Sequence, residues 1–145
     1  MLALRVVLGG VLIAAGALKV AHADSLAAAI AGYRLLPQGA VLPLAIALPP
    51  FEILVGLYLV AGLFRRVAAG IACAMFAAYC AAIASAVARH IPANCGCFGP
   101  GDASKADWQH ALADAVAALV ALAIALVPSA FSADALFARW AKGGS

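Results

Sequence analysis

Charge is what this chain has least of. Asp, Glu, Lys and Arg make up 10% of its 145 residues, against roughly a quarter in an ordinary soluble domain, while 68% of the residues are hydrophobic and the mean hydropathy is +1.10. A water-soluble domain is thereby excluded, and the expectation is an integral membrane protein in contact with a lipid bilayer. A formal charge of +3, scattered along the chain, also argues against a nucleic-acid partner. There is no C-x-x-C pair, so the strong zinc pattern is missing. Neither an internal repeat nor a low-complexity linker is present, and the length suits one domain of about four spans of about 20 residues each.

The apolar runs place those spans at about 4–21, 41–64, 67–88 and 108–128. The first has the look of a signal peptide, with Arg5 before an apolar run that ends in small residues. Gly9, Gly10, Gly16 and many alanines favour a retained span, because small residues let membrane helices approach closely. After it, Asp24 to Arg34 reads as a short interfacial helix, too polar to cross, with Asp24 or Ser25 as its cap. Pro43, Pro49 and Pro50 interrupt the second span and predict a kink there. Arg65 and Arg66 mark the turn into the third span, and Pro128 the end of the fourth. The segment from Ser132 to Lys142 reads as a short amphipathic helix, with Phe131, Leu136, Phe137 and Trp140 anchored at the interface. The expected fold is all-α: an integral membrane four-helix bundle with a short interfacial helix between spans 1 and 2 and a cysteine-containing loop between spans 3 and 4.

That loop, Pro92 to Asp102, is the longest polar, turn-rich interruption and holds two of the four cysteines, Cys95 and Cys97. Its glycines and prolines forbid a regular helix. A disulfide between Cys95 and Cys97 would close a ring around Gly96 alone, a poor staple whose strain favours an exchangeable bond. The other readings are a structural bridge to another cysteine, or a pair of metal ligands completed by His90 or His110. Cys73 and Cys80 are seven apart on one helical face, about 10 Å along the axis, too far to bond to each other. Cys80 is nearer the loop and is the candidate resolving thiol, with small-residue packing as its plainer role.

Glu52 and Lys19 are the ionisable residues expected at membrane depth, where a lone charge costs several kcal/mol. Span 1 ends on the side where span 2 begins, so the two can pair. Glu52 then serves either as a structural partner of Lys19, or as a proton acceptor or polar anchor for a headgroup such as a quinone. Asp107, His110 and Asp114, at i, i+3 and i+7, share a helical face at the start of span 4. Turned inward, His110 would act as a base or stabilise a thiolate, with Asp114 in support. Helix capping at a solvated entrance is the alternative.

Four landmarks resemble the MauE-type methylamine-utilisation membrane proteins, relatives of the DoxX-like redox-associated membrane proteins. They are NCGCFG at Asn94 to Gly99, G-x-L-K at Gly16 to Lys19, Y-x-L-L-P at Tyr33 to Pro37, and P-x-E at Pro50 to Glu52. The resemblance implies four membrane helices, a thioredoxin-like periplasmic partner, and disulfide formation or maturation of periplasmic enzymes. By it Cys95 and Cys97 become the redox pair, and Lys19 and Glu52 a buried support. The architecture also resembles quinone-linked disulfide-generating membrane proteins and vitamin K epoxide reductases. It departs from them in having no cysteine in span 4 and no C-x-x-C.

The resulting expectation is a membrane thiol–disulfide oxidoreductase working through Cys95, Cys97 and Cys80, with the terminal acceptor open and a quinone among the candidates. Its rivals are a small copper or mercury transporter and a non-catalytic anchor of a redox complex. Arg5, Arg65, Arg66, Arg139 and Lys142 fall on one side, against Lys19, Arg34, Arg89 and Lys105 on the other. This one-residue excess puts both termini in the cytoplasm and the cysteine loop in the periplasm of a bacterial inner membrane, where a dithiol can cycle through a disulfide.

Overall fold

The structure, a computed structural model, describes residues 2–92 and 107–127. Five helices follow in order: α1 (Leu2–Val20), α2 (Ala23–Gly32), α3 (Gln38–Ala61), α4 (Arg65–Ala88) and α5 (Trp108–Leu126). There is no strand among the described residues. All but α2 are long and apolar enough to cross a membrane. A 24-residue helix such as α3 or α4 is about 36 Å long at 1.5 Å per residue, enough for a hydrocarbon core of about 30 Å. Cys95 and Cys97 and the tail beyond Val127 lie outside the described residues.

Size, more than polarity, decides which side chains point inward. The buried positions of the spans are rich in Gly9, Ala15, Gly16, Ala45, Gly56, Ala68, Ala69, Ala72, Ala118 and Ala121. The outer positions carry Val7, Leu18, Ile46, Leu57, Leu112, Leu119 and Leu126. In lipid an exposed leucine costs nothing, so close backbone approach and dispersion decide the packing. Helices α1 and α3 form one antiparallel pair and α4 and α5 another, joined through α3 and α4, while α2 lies against α3. The α1–α3 seam is a glycine contact. A Cβ on Gly9 would stand 2.7 Å from the Gly56 carbonyl, one on Gly56 would stand 2.6 Å from the Gly9 carbonyl, and one on Gly16 would stand 2.6 Å from the Pro49 carbonyl.

Helix α3 continues through Pro43, Pro49 and Pro50 without a break in its helical assignment. The turn after it is made by Gly62, Leu63 and Phe64 rather than by the two arginines, and Arg65 is already the first residue of α4. Gly62 adopts a left-handed φ of 71° and its N–H donates to the Tyr58 carbonyl, closing the helix. The cap expected at Asp24 or Ser25 is also corrected: His22 is the N-cap of α2 and makes no side-chain cap bond, which leaves Asp24 in the first turn.

Buried arginines close the helix ends around this turn. Arg5, 2% exposed, donates from Nε to the Leu59 carbonyl at 3.2 Å and reaches the Val60 carbonyl at 3.5 Å. Arg65 donates to the carbonyls of Ile124 and Val127 at the end of α5. The last carbonyls of a helix lack N–H partners and carry its partial negative charge, so a guanidinium satisfies both demands. At the other end, Arg89 donates to Ser85 and, at 2.6 Å, to the Tyr33 carbonyl, tying α4 to the end of α2.

The glycine seam yields a matched test. Gly9→Ala and Gly56→Ala should each destabilise the bundle by about 1–3 kcal/mol through overpacking. Gly10→Ala, where nothing lies within 4 Å, should be neutral or slightly stabilising. Thermal unfolding in detergent micelles measures all three.

Candidate functional site

The sequence leaves one carboxylate inside the apolar part of α3, and the fold surrounds it with donors. Side chains on a helix lean toward its N-terminus. In the antiparallel α1–α3 pair, Lys19 and Glu52 therefore lean toward each other from positions several residues out of level. The Lys19 ammonium lies 2.9 Å from Glu52 Oε1 and 3.1 Å from Oε2. From α4, the Tyr79 hydroxyl donates to Oε1 at 2.6 Å, and the Lys19 ammonium sits 5.7 Å from the centre of the Tyr79 ring. Glu52 is fully buried and Lys19 is 4% exposed. Both carboxylate oxygens thus have a partner where water is absent, the condition under which a buried ion pair is tolerated.

This triad sits at a boundary in the apolar packing. Toward the α3–α4 turn lies the larger cluster, built on Leu12, Leu59, Ala72, Phe76, Ala121 and Ile124, with Cys73 and Tyr79 against it. Toward the opposite end lies a smaller one of Tyr33, Ile83, Ala86 and Ala111, with Cys80 against it. Cys73 and Cys80 are both half-buried free thiols. Cys80 thus belongs to the end at which the segment bearing Cys95 and Cys97 joins α4 to α5.

The stripe on α5 divides into an outer and an inner part. Asp107 is the N-cap, and its Oδ1 accepts both the His110 backbone N–H at 3.0 Å and the His110 Nδ1 at 2.7 Å. These two bonds, the backbone one first, hold the Asp107 carboxyl below the usual carboxylate range. Asp114 turns inward, and its Oδ2 is a buried oxygen with no hydrogen-bond partner among the described residues. It lies within electrostatic reach of Lys19, Tyr79 and His110. Burial, followed by the charge of Asp114, pushes the Tyr33 phenol up to about 12. Lys19 of α1, Glu52 of α3, Tyr79 of α4 and Asp114 of α5, with Tyr33 at the C-cap of α2, therefore bring polar side chains to the same half of the bundle.

Sequence reasoning singled out Lys19, Glu52, His110 and Asp114 but passed over Tyr79. The available signal was a phenol inside a charge-free span, since a buried tyrosine hydroxyl needs a partner. Among the described residues no group of three or more His, Cys, Asp or Glu could hold a metal ion.

Tyr79→Phe keeps the ring beneath Lys19 and removes only the hydroxyl donor. The expected cost is about 1–2 kcal/mol, the range for a hydrogen bond to a charged group inside a membrane protein. It is read as a lower unfolding midpoint in micelles; an unchanged midpoint would show that the phenol contributes no net stability.

Comparison with known proteins adds the family. Residues 1–128 match the family described as Methylamine utilisation protein MauE. A curated relative, the Methylamine utilization protein MauE of Paracoccus denitrificans, is 33% identical over 134 residues, covering 91% of this chain and 72% of the relative. No solved structure matches. The chain is a multi-pass membrane protein of the MauE family.

Proposed function

We propose that the protein is a membrane thiol–disulfide oxidoreductase of methylamine utilisation, exchanging disulfides with an extracytoplasmic thioredoxin-like or substrate protein through Cys95 and Cys97. The observation that carries this reading is the pair of thiols one glycine apart in the connection between α4 and α5. That end of the bundle also holds Cys80 and the Asp107–His110 pair. Membership of a family named for methylamine utilisation supports the setting. In the exchange, one loop thiolate attacks a partner disulfide and forms a mixed disulfide, releasing one partner thiol. The second loop thiol attacks the mixed disulfide and releases the other. Two electrons pass from the loop dithiol to the partner, two protons follow them, and the reverse reaction oxidises a partner dithiol. Cys80 is the internal thiol that can resolve a mixed disulfide in place of a loop cysteine, and Lys19, Glu52 and Asp114 form the buried support beneath it.

The orientation belongs to the same proposal: both termini cytoplasmic and the cysteines periplasmic, in a bacterial inner membrane.

Trapping tests the exchange. Cys97→Ser should accumulate a disulfide from Cys95 to Cys80 or to a partner protein, visible by non-reducing electrophoresis and mass spectrometry, because loss of the resolving thiol stalls the reaction. If neither Cys97→Ser nor Cys95→Ser traps an adduct, the exchange reading fails. A membrane-impermeant maleimide should label the reduced loop thiols from the periplasmic face; labelling confined to the cytoplasmic face would reverse the topology.

A further inference from the structure

At the end of the bundle opposite the α3–α4 turn, two guanidiniums meet at one peptide. Arg89 is the C-cap of α4. It donates from Nε to the Ser85 carbonyl at 3.0 Å and from Nη2 to the Tyr33 carbonyl at 2.6 Å. Those bonds use two of the five N–H groups of the fork. The residue is nevertheless exposed, so a fixed guanidinium keeps donors to spare at the surface. The peptide whose carbonyl it grips leads directly into Arg34, which is exposed as well. Among the described residues neither arginine makes an ion pair. The nearby acids are engaged or distant: Glu52 holds Lys19, Asp107 holds His110, Asp114 faces Tyr33 and Lys19, and Asp24 is in the first turn of α2, about 15 Å along the helix from Arg34.

The backbone at Arg34 is strained. Its φ of 52° is left-handed, where a Cβ crowds the following carbonyl and glycine is the usual occupant just past a helix. The Arg34 N–H donates to the Ala31 carbonyl at 3.0 Å, closing α2. A strained backbone that carries an exposed, unpaired charge marks a contact with something outside the chain. Depth along the spans says what that is. Arg34 lies four residues before α3 and Arg89 directly after α4. Those helices are about 36 Å long against a hydrocarbon core of about 30 Å, so both guanidiniums stand at headgroup level. Beside Arg34, Leu35 and Leu36 are 50% and 43% exposed, a poor surface toward water and a favourable one at the boundary of headgroups and acyl chains.

We propose that Arg34 and Arg89 clamp the phosphate of an anionic phospholipid whose acyl chains run past Leu35 and Leu36. Guanidinium forks match phosphate oxygens in paired, charge-assisted hydrogen bonds, and basic residues at span ends attract anionic headgroups. The lipid adds a second link between the end of α2 and the end of α4, beside the one that Arg89 makes to the Tyr33 carbonyl. No bond is made or broken, and the site is independent of the thiol exchange proposed above.

Melting and native mass spectrometry of the full chain in micelles test the clamp. Phosphatidylglycerol should raise the melting temperature of the wild type by several degrees more than phosphatidylcholine does. Arg34→Gln removes an exposed side chain, so it should melt like the wild type without lipid and lose most of that increment. Arg66→Gln, the same charge loss on an exposed residue at the other end of α4, should keep it. In the mass spectrometer the tightest phosphatidylglycerol site should weaken about tenfold in Arg34→Gln and in Arg89→Gln, a readout that stands even if Arg89→Gln lowers the melting temperature by untying Tyr33. Equal stabilisation by the two lipids, or equal losses in Arg34→Gln and Arg66→Gln, would overturn the proposal. So would full stabilisation by inorganic phosphate alone, which would assign the pair to the free anion.

Discussion

A carboxylate fully removed from water is the constraint around which this bundle is arranged. Left alone, the Glu52 charge would cost several kcal/mol in a membrane interior. Satisfying it takes the Lys19 ammonium from α1 and the Tyr79 hydroxyl from α4, and those bonds are short only at one register of the three helices. The glycines at 9, 16 and 56 let α1 and α3 approach closely enough for that register. Packing and charge pairing therefore specify the same arrangement, which is what a single native state requires where lipid supplies no hydrophobic force between helices. Buried arginines close the turn end in the same spirit, replacing water at carbonyls that the helices cannot satisfy themselves.

The two ends of the molecule consequently differ in chemistry. The turn end is finished by Arg5 and Arg65 on helix carbonyls. The opposite end gathers Tyr33, Cys80, Asp107, His110 and Asp114 around the points where the cysteine-bearing segment leaves α4 and enters α5.

Much of this was legible in the sequence because membrane depth leaves few choices. Twenty apolar residues in a row must form a helix, so the four spans and the short helix between the first two came within a few residues of their observed limits. The proximity of Lys19 and Glu52 followed from the order of the spans alone. Tyr79 did not, because which face of α4 meets Glu52 depends on packing between alanine-rich surfaces with little periodicity to read. Arg5 and Arg65 were counted as orientation charges, yet the fold buries them as helix caps; sequence shows a charge near a span end but not whether a neighbouring helix ends beside it. His22 took the cap position expected of Asp24 or Ser25, a shift of two residues that only the backbone decides.

The claim on which the account depends is that Lys19 and Glu52 are energetically one unit, and a double-mutant cycle on unfolding in micelles tests it most directly. Lys19→Met and Glu52→Gln should each cost about 3 kcal/mol, since each leaves a buried charge unpaired. The double variant, which buries no charge, should be no less stable than either single one, giving a large coupling energy. Additive losses in the double variant would contradict the account.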